Sequence, residues 1–440
     1  MAAANQEREL LERMFRTAVA AVDPAMLVRR RLVVERGLHV RVGKNRTLDL
    51  SARRLWLIAA GKAAPAMARE TLRIAASQFA GGVVVGPDRA RDLSGNVQVF
   101  RGGHPLPDRG SLAAGRATWA LLGRVRPDDR VLVLLSGGAS SLLVLPAAGV
   151  TLADKVRTSD LLLRAAAPIT EINTVRKHLS RLKGGGLARR AGGARVLCLI
   201  LSDVIGSSPA VIGSGPTAAD PTTYADALRV LARRRLLGRV PVHVRRHLEL
   251  GRDGSRPETL KPGERRTQNL VIGDNRLALT AAAAAARAAG LRCEIVTFAM
   301  RGDTVRAARA FAGDIRRHLR RARRPMCLLA GGETTVEVRG SGRGGRNQHF
   351  ALVLADELRG LRHVHCLIAG SDGRDGPTDA AGAFVDGTTA DRASARGFDP
   401  RRFLERNDSY RFFRGLGDLF QPGPTGTNVM DLDLALLAPP

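Results

Sequence analysis

Lysine is scarce in this chain of 440 residues: there are six, against 70 lysines and arginines together. The net charge of +29 is therefore almost all arginine. The arginines are scattered over helix faces, as in Arg233, Arg234 and Arg235 or Arg316, Arg317, Arg320 and Arg321. Aromatic residues make up only 4% of the chain and do not interleave with that charge, so there is no platform on which bases could stack. The composition argues against a specific nucleic-acid partner. Cysteine is also sparse. Cys198, Cys293, Cys327 and Cys366 each lie in or beside an apolar run, and no pair has metal-ligand spacing. They read as free thiols of a reducing compartment, not as a disulfide framework or a zinc site. No apolar run reaches the roughly 18 residues of a membrane span. The N-terminal stretch MAAANQEREL has no apolar signal region. These absences predict a cytoplasmic protein without a membrane partner. Finally, there is no GxxxxGK[ST] phosphate loop: Lys62 follows Gly61 but lacks the upstream glycine. Any phosphoryl-transfer chemistry is not of the P-loop type.

What is present is a globular composition, 44% hydrophobic and 25% charged, in a chain too long for one ordinary core. Short apolar runs alternate with segments of helical spacing. Strands are predicted over 55–60, 82–85, 97–100, 131–135 and 196–201, with helices over 6–21, 63–74, 109–122, 152–166 and 172–191. A polar stretch rich in Gly, Pro and charge, 251–267, reads as a linker. A second series follows, with strands over 270–273, 294–298, 326–330, 334–338 and 365–369. Its helices are predicted over 276–289, 304–323 and 347–358. A last strand, over 432–437, could join either sheet. Continuous branched-aliphatic runs suit strands buried on both faces, and their alternation with helices implies parallel sheets. The expected fold is α/β: two α/β domains with mainly parallel sheets, 1–250 and 268–440, and an active site in the cleft between them. The final segment is free to return to the first domain.

Ligands in open parallel sheets bind beyond the carboxyl ends of the strands. Lys62, the run Ser136-Gly137-Gly138-Ala139-Ser140-Ser141, Asp203, the Gly331-Gly332-Glu333 turn, and Asp372 with Asp375 all fall at such ends. The Ser-Gly run at a helix start could cradle an oxyanion or phosphate, or simply cap the helix. Asp203, Asp372, Asp375 and Asp379 could hold Mg²⁺, which prefers one or two carboxylates plus substrate phosphates. They could equally be turn residues. Residues 331–349, GGETTVEVRGSGRGGRNQH, combine four loop glycines with Arg339, Arg343 and Arg346 ahead of a predicted helix. The stretch reads as a place for an anion with several oxygens. Gly340-x-Gly342-x-x-Gly345 also fits a dinucleotide fingerprint, but the acidic ribose partner expected about 20 residues on is not clearly there.

Several long strings, in order and nearly end to end, resemble one family. They are AAGKAAPAMA (59–68), GGHPLPD (102–108), LLSGGASSLL (134–143), INTVRKHLSRLKGG (172–185), LSDVIG (201–206), GSGPTAADPTTY (213–224), GGETTVEVRGSGRGGRNQ (331–348), GSDGRDGPTDAAGAFVDG (370–387) and GDLFQPGPTGTNVMDL (417–432). The chain is similar to the glycerate 2-kinases of the class with a C-terminal MOFRL domain, a class also named hydroxypyruvate reductase. Two positions depart from the pattern. Ser207 and Ser208 follow VIG where the family commonly has acidic residues, and His349 follows RNQ where an acidic residue is usual. The resemblance implies ATP-dependent phosphorylation of D-glycerate at the 2-hydroxyl, with Mg²⁺ or another divalent cation; a homodimer is left open. It implies catalytic roles for Lys62, Asp203, Arg343 and Arg346, and contacts to substrate or phosphate from Ser136, Gly137, Gly138, Ser140, Glu333, Asn347 and Asn428. Asp203, Asp372 and Asp375 are the metal candidates. The rival reading is an NAD(P)H-dependent hydroxypyruvate reductase.

Overall fold

The structure, a computed structural model, describes residues 2–43, 46–88, 90, 93, 95–263 and 266–439. The chain forms two compact units: residues 24–272, and residues 1–23 together with 273–440.

The unit of residues 24–272 opens with a small antiparallel sheet of β1 (Leu32–Val34), β2 (Leu38–Arg41) and β3 (Thr47–Asp49). Its main sheet has six strands: β4 (Leu55–Ala60), β5 (Phe79–Gly86), β6 (Val97–Arg101), β7 (Arg130–Leu135), β8 (Arg195–Leu201) and β9 (Thr267–Gly273). Their order is β6-β5-β4-β7-β8-β9, and β6 through β8 pair in parallel. Every residue of β4 is buried, as a strand covered by helices on both faces requires. The sheet grows outward from β4 through β5 to β6, and then resumes on the other side of β4 with β7. Beyond the carboxyl ends of β4 and β7 therefore lies a topological switch point, the usual ligand position in such sheets.

The second unit contains β10 (Arg292–Asp303), β11 (Met326–Thr335), β12 (Val364–Gly370), β13 (Gly382–Asp386), β14 (Leu419–Phe420) and β15 (Asp431–Leu437), in the order β10-β11-β15-β12-β13-β14. Here only β10 and β11 pair in parallel; the other four pairings are antiparallel. Parallel pairing thus runs through the first sheet, while the second is mixed. The last strand does not return to the first domain. It enters the centre of the second sheet, where Asp431 stands in register with Gly332 of β11 and Gly370 of β12.

The division also differs from the one expected at 251–267. Helix Val242–Arg252 runs into that segment, and β9 after it belongs to the first sheet, so the polar stretch is a surface excursion of one unit. Residues 264 and 265 within it lie outside the described residues. The N-terminal helix Ala2–Ala21 packs on the alanine-rich helix Asn275–Ala288 of the other sheet's unit. Leu11, Met14, Phe15 and Ala18 are buried there, with Phe15 set edge-on to Phe420 at 4.9 Å. Two predicted elements change shape. The helix expected over 172–191 is Ile169–His178 followed by a turn and the short helix Gly186–Arg190, because Gly184 and Gly185 take left-handed φ of 55° and 74°. Residues 326–335 form one continuous strand, and Val338 beyond it is exposed.

Candidate active site

At the switch point of the first sheet the predicted residues gather. The amide of Lys62 donates to the Gly137 carbonyl at 2.8 Å, and the Ser136 hydroxyl accepts from the Ala63 amide at 2.9 Å. The turns after β4 and β7 are thereby tied together. Gly137 cannot carry a side chain, since a Cβ there would lie 1.9 Å from Oδ2 of Asp203. Gly138 is left-handed at φ 81°, and its Cβ would lie 2.9 Å from the His104 ring and 3.3 Å from Cγ of Lys62. Lys62, His104, Ser136, Gly137, Gly138 and Asp203 are therefore neighbours. Lys62 is exposed, whereas Ser136 is buried. Burial pushes the Asp203 carboxyl above its ordinary value, with its own backbone amide and the Lys62 ammonium pulling the other way. Burial, and then Lys62, hold the His104 imidazole below its ordinary value. A carboxylate raised in pKa beside an exposed ammonium is suited to taking a proton from a substrate hydroxyl.

Ser140 has a different set of partners. Its hydroxyl lies 3.0 Å from that of Ser214, and the Lys183 ammonium donates to its carbonyl at 2.5 Å and its hydroxyl at 2.7 Å. Lys177, which shares a glycine-rich stretch with Lys183, is committed to Asp220 at 3.2 Å.

In the second unit, the carboxyl ends of β11 and β12 and the start of β15 bring together Glu333, Arg346, Asn347, Asp375 and Asp431. Arg346 makes a bidentate pair with Asp431 at 2.7 and 3.0 Å, and its third nitrogen donates to Glu333 at 2.6 Å. Burial draws this guanidinium down, but Asp431, then Glu333 and Asp375, more than offset that and hold it above its ordinary value. Asp375 accepts from the amides of Asn347 at 3.1 Å and Gln348 at 2.8 Å. The first turn of helix Arg346–Glu357 is thus capped by an internal carboxylate. Burial pushes Asp375 up to about 7, against those two amides.

These contacts correct the reading of the glycine loop as an open anion cradle. The amide of Gly342 donates to the Arg406 carbonyl at 2.8 Å, that of Arg343 to Asp408 at 2.9 Å, and those of Arg339 and Gly340 to Asn407 at 2.8 and 2.9 Å. A Cβ on Gly342 would lie 2.5 Å from the Arg406 carbonyl oxygen, and one on Gly345 2.2 Å from Asp375 Oδ1. The glycines let the segment 406–409 and Asp375 approach, and four of the loop's amides, those of residues 339, 340, 342 and 343, already serve protein acceptors. The Asn347 side chain likewise serves Asp431 at 3.0 Å. Among the two loop arginines of the kinase reading, Arg343 is the one with donors to spare. It is exposed, 4.7 Å over the Tyr410 ring, with one nitrogen on the Pro377 carbonyl at 3.2 Å.

Asp375 also fits a metal poorly, because both its oxygens are engaged. Asp372 uses one oxygen on the Arg374 amide at 3.1 Å. Among the described residues no group of three or more His, Cys, Asp or Glu side chains is arranged to hold a metal ion. Asn428 is half-buried and accepts from the Met430 amide at 3.0 Å, in a segment tied to the 371–372 turn through Thr425. No helix among the described residues is long and apolar enough to cross a membrane.

Comparison with known proteins decides the family. Residues 10–249 match the model described as DUF4147, a domain of unknown function, and residues 326–431 match the MOFRL family. The chain is 38% identical over 437 residues to the glycerate 2-kinase of Pyrococcus horikoshii, covering 98% of this chain and 97% of that protein. This chain belongs to the MOFRL-class glycerate kinase family. A crystal structure of the glycerate kinase from Thermotoga maritima superposes with a TM-score of 0.87 at 36% identity, covering 98% of this chain and 100% of that one. A protein of Agrobacterium vitis, 39% identical over 435 residues (98% of this chain and 94% of that protein), is named as a candidate hydroxypyruvate reductase.

Sequence reasoning missed His104, Asp431 and the cations Lys155 and Arg176. His104 lies inside the string GGHPLPD, where a single histidine carries no spacing signal. Asp431 is legible only once β15 is known to stand between β11 and β12.

Proposed function

We propose that this protein transfers the γ-phosphoryl group of ATP to the 2-hydroxyl of D-glycerate, giving 2-phosphoglycerate. The observation that carries the reading is near full-length likeness, in sequence and in structure, to proteins named as glycerate kinases. The geometry at the switch point supports it. Phosphoryl transfer asks the protein mainly for positioning and for neutralisation of charge. Asp203 is the base that accepts the hydroxyl proton at a carboxylate oxygen, and its raised pKa suits that role. Lys62, exposed beside it, neutralises negative charge on the reacting groups. The turn of Ser136, Gly137, Gly138 and Ser140 holds the substrate oxygens. Arg343, exposed and with donors to spare, is the loop arginine suited to negative charge on a phosphoryl group. Arg346, Glu333 and Asn347 are positioning residues that tie β11 and β15 to the start of helix Arg346–Glu357. A divalent cation such as Mg²⁺ would neutralise the nucleotide phosphates. Were Asp203 to hold that cation instead, its carboxylate would orient the hydroxyl and not deprotonate it.

The reductase reading is weakened because four amides of the glycine loop, those of residues 339, 340, 342 and 343, are taken by Arg406, Asn407 and Asp408. Incubation with D-glycerate, ATP and Mg²⁺, and separately with hydroxypyruvate and NADH or NADPH, tests the assignment. Phosphorylation in the first and no nucleotide oxidation in the second is expected. The reverse would overturn it.

A further inference from the structure

A cleft of about 260 Å³ opens beside the Ser-Gly turn, and its lining includes Leu106, Val156 and Leu163 together with Lys155, Arg176 and Lys183. Two of these cations are deeply buried: Lys155 is 5% exposed and Lys183 3%. Buried cations are ordinarily paired with carboxylates, because an uncompensated charge in a low-dielectric site is costly. These are not. Lys155 donates to the backbone carbonyls of Arg176 at 3.0 Å and Leu179 at 3.3 Å. Lys183 donates to the carbonyl and hydroxyl of Ser140. Arg176 gives its Nε to the Ser159 hydroxyl at 3.2 Å. Among the described residues, no carboxylate pairs with any of the three. The one acidic residue lining the cleft, Asp160, is exposed and paired with Arg164 at 2.8 Å.

Burial and mutual repulsion disfavour the charged forms of these groups. Burial brings Lys155 down to about 7, with Arg176 adding to the effect. It draws Lys183 well below its ordinary value, with Lys155 and Arg176 adding to it, and it lowers Arg176 as well. Three like charges around one cleft destabilise one another unless something negative enters. The neutral contacts already made orient the ammonium groups but supply no countercharge.

We propose that Lys155, Arg176 and Lys183 form an oxyanion subsite of the active centre, taking either the carboxylate of the three-carbon acid or the phosphates of the nucleotide. The subsite adjoins the proposed catalytic turn through Ser140 and Gly138, which line the same cleft. The identity of its ligands rests on the kinase reading; its existence does not.

The test is calorimetric binding of D-glycerate and, separately, of ADP to the full chain, with Arg176→Gln, Arg176→Lys and Lys183→Met compared with the unaltered protein. Melting temperatures verify that each variant folds; Lys183→Met removes a strained charge at nearly constant volume and should fold well. Loss of a charge-assisted contact predicts about tenfold or greater weakening of one ligand in Arg176→Gln and Lys183→Met. The other ligand should change less than about twofold, with partial recovery in Arg176→Lys, which keeps the charge without the planar fork. Weakened glycerate binding assigns the subsite to the carboxylate, and weakened ADP binding assigns it to phosphate. Unchanged affinity for both in folded variants overturns the proposal, as does failure of the unaltered protein to bind either ligand. Turnover separates this from the kinase reading. A protein that binds in the expected pattern but forms no phosphoglycerate keeps the subsite and loses the kinase assignment. One that phosphorylates glycerate with unaffected variants keeps the assignment and loses the subsite.

Discussion

Arg346→Ala should damage the fold before it damages the chemistry. Arg346 is the counter-ion of a buried acidic cluster: Asp375, Asp431 and Asp433 are only 3%, 4% and 2% exposed. Burial raises the pKa of Asp431 and of Asp433, and the guanidinium opposes this in both. Truncating one partner of a buried ion pair leaves the other charge uncompensated, at a cost of about 3–5 kcal/mol. For a unit of this size that corresponds to a fall in melting temperature of roughly 6–20 °C. The Arg346 side chain is 31% exposed, which favours the lower part of that range. Thermal melts of the single variant and of Arg346→Ala combined with Asp431→Asn test this. The double variant should recover much of the loss, because the orphaned charge is gone. Arg343→Lys, by contrast, should leave the melt unchanged and lower kcat, since Arg343 is exposed and paired with no carboxylate among the described residues. An Arg346→Ala protein melting within about 2 °C of the unaltered one would refute the reasoning and return Arg346 to a purely catalytic role.

Lys62→Ala should cut kcat/KM by about 10²-fold or more, the scale of losing one preorganised charge. Because Lys62 lowers the Asp203 pKa, the acid limb of the kcat/KM profile should also move to higher pH; a limb that stays in place would show that Asp203 is not the group seen. Gly137→Ala should abolish turnover, since its Cβ would meet the Asp203 carboxylate at 1.9 Å; near-normal kcat would mean that Asp203 can move aside without consequence. Glu70, held by Arg73 and Arg29 at a pKa of about 2 against an ordinary 4.5, contributes stability that is full above about pH 4.5 and lost as pH falls toward 2. Urea midpoints of Glu70→Gln should therefore fall less steeply over that window than those of the unaltered protein, and equal slopes would contradict the pairing.

The first unit was largely legible from the sequence because its signals are local. Uninterrupted aliphatic runs at β4, β7 and β8 imply strands buried on both faces, and the polar groups that follow them, Lys62, Ser136 and Asp203, mark their carboxyl ends. The second unit was less so. Asp431 looks like an ordinary strand-start residue, and only the antiparallel insertion of β15 puts it in register with Gly332 and Gly370. The glycine loop misled for a related reason. Glycine permits close approach without naming what approaches, and here it is the segment 406–409 and Asp375. Asp375 had the composition of a metal ligand and the position of a helix cap; the two amides it accepts decide between them. Lys155 lies on a helix whose spacing suggests a solvated face, so its burial beside Arg176 and Lys183 needed the tertiary fold.

The most direct test of the central claim is the position of the phosphate in the product. The purified protein, given ATP, Mg²⁺ and D-glycerate, is followed by phosphorus NMR and by coupling to enolase, which accepts 2-phosphoglycerate directly. The account predicts 2-phosphoglycerate as the first product, formed without added mutase. A product that is 3-phosphoglycerate, or no phosphorylated product at all beside NADH- or NADPH-dependent reduction of hydroxypyruvate, would contradict it.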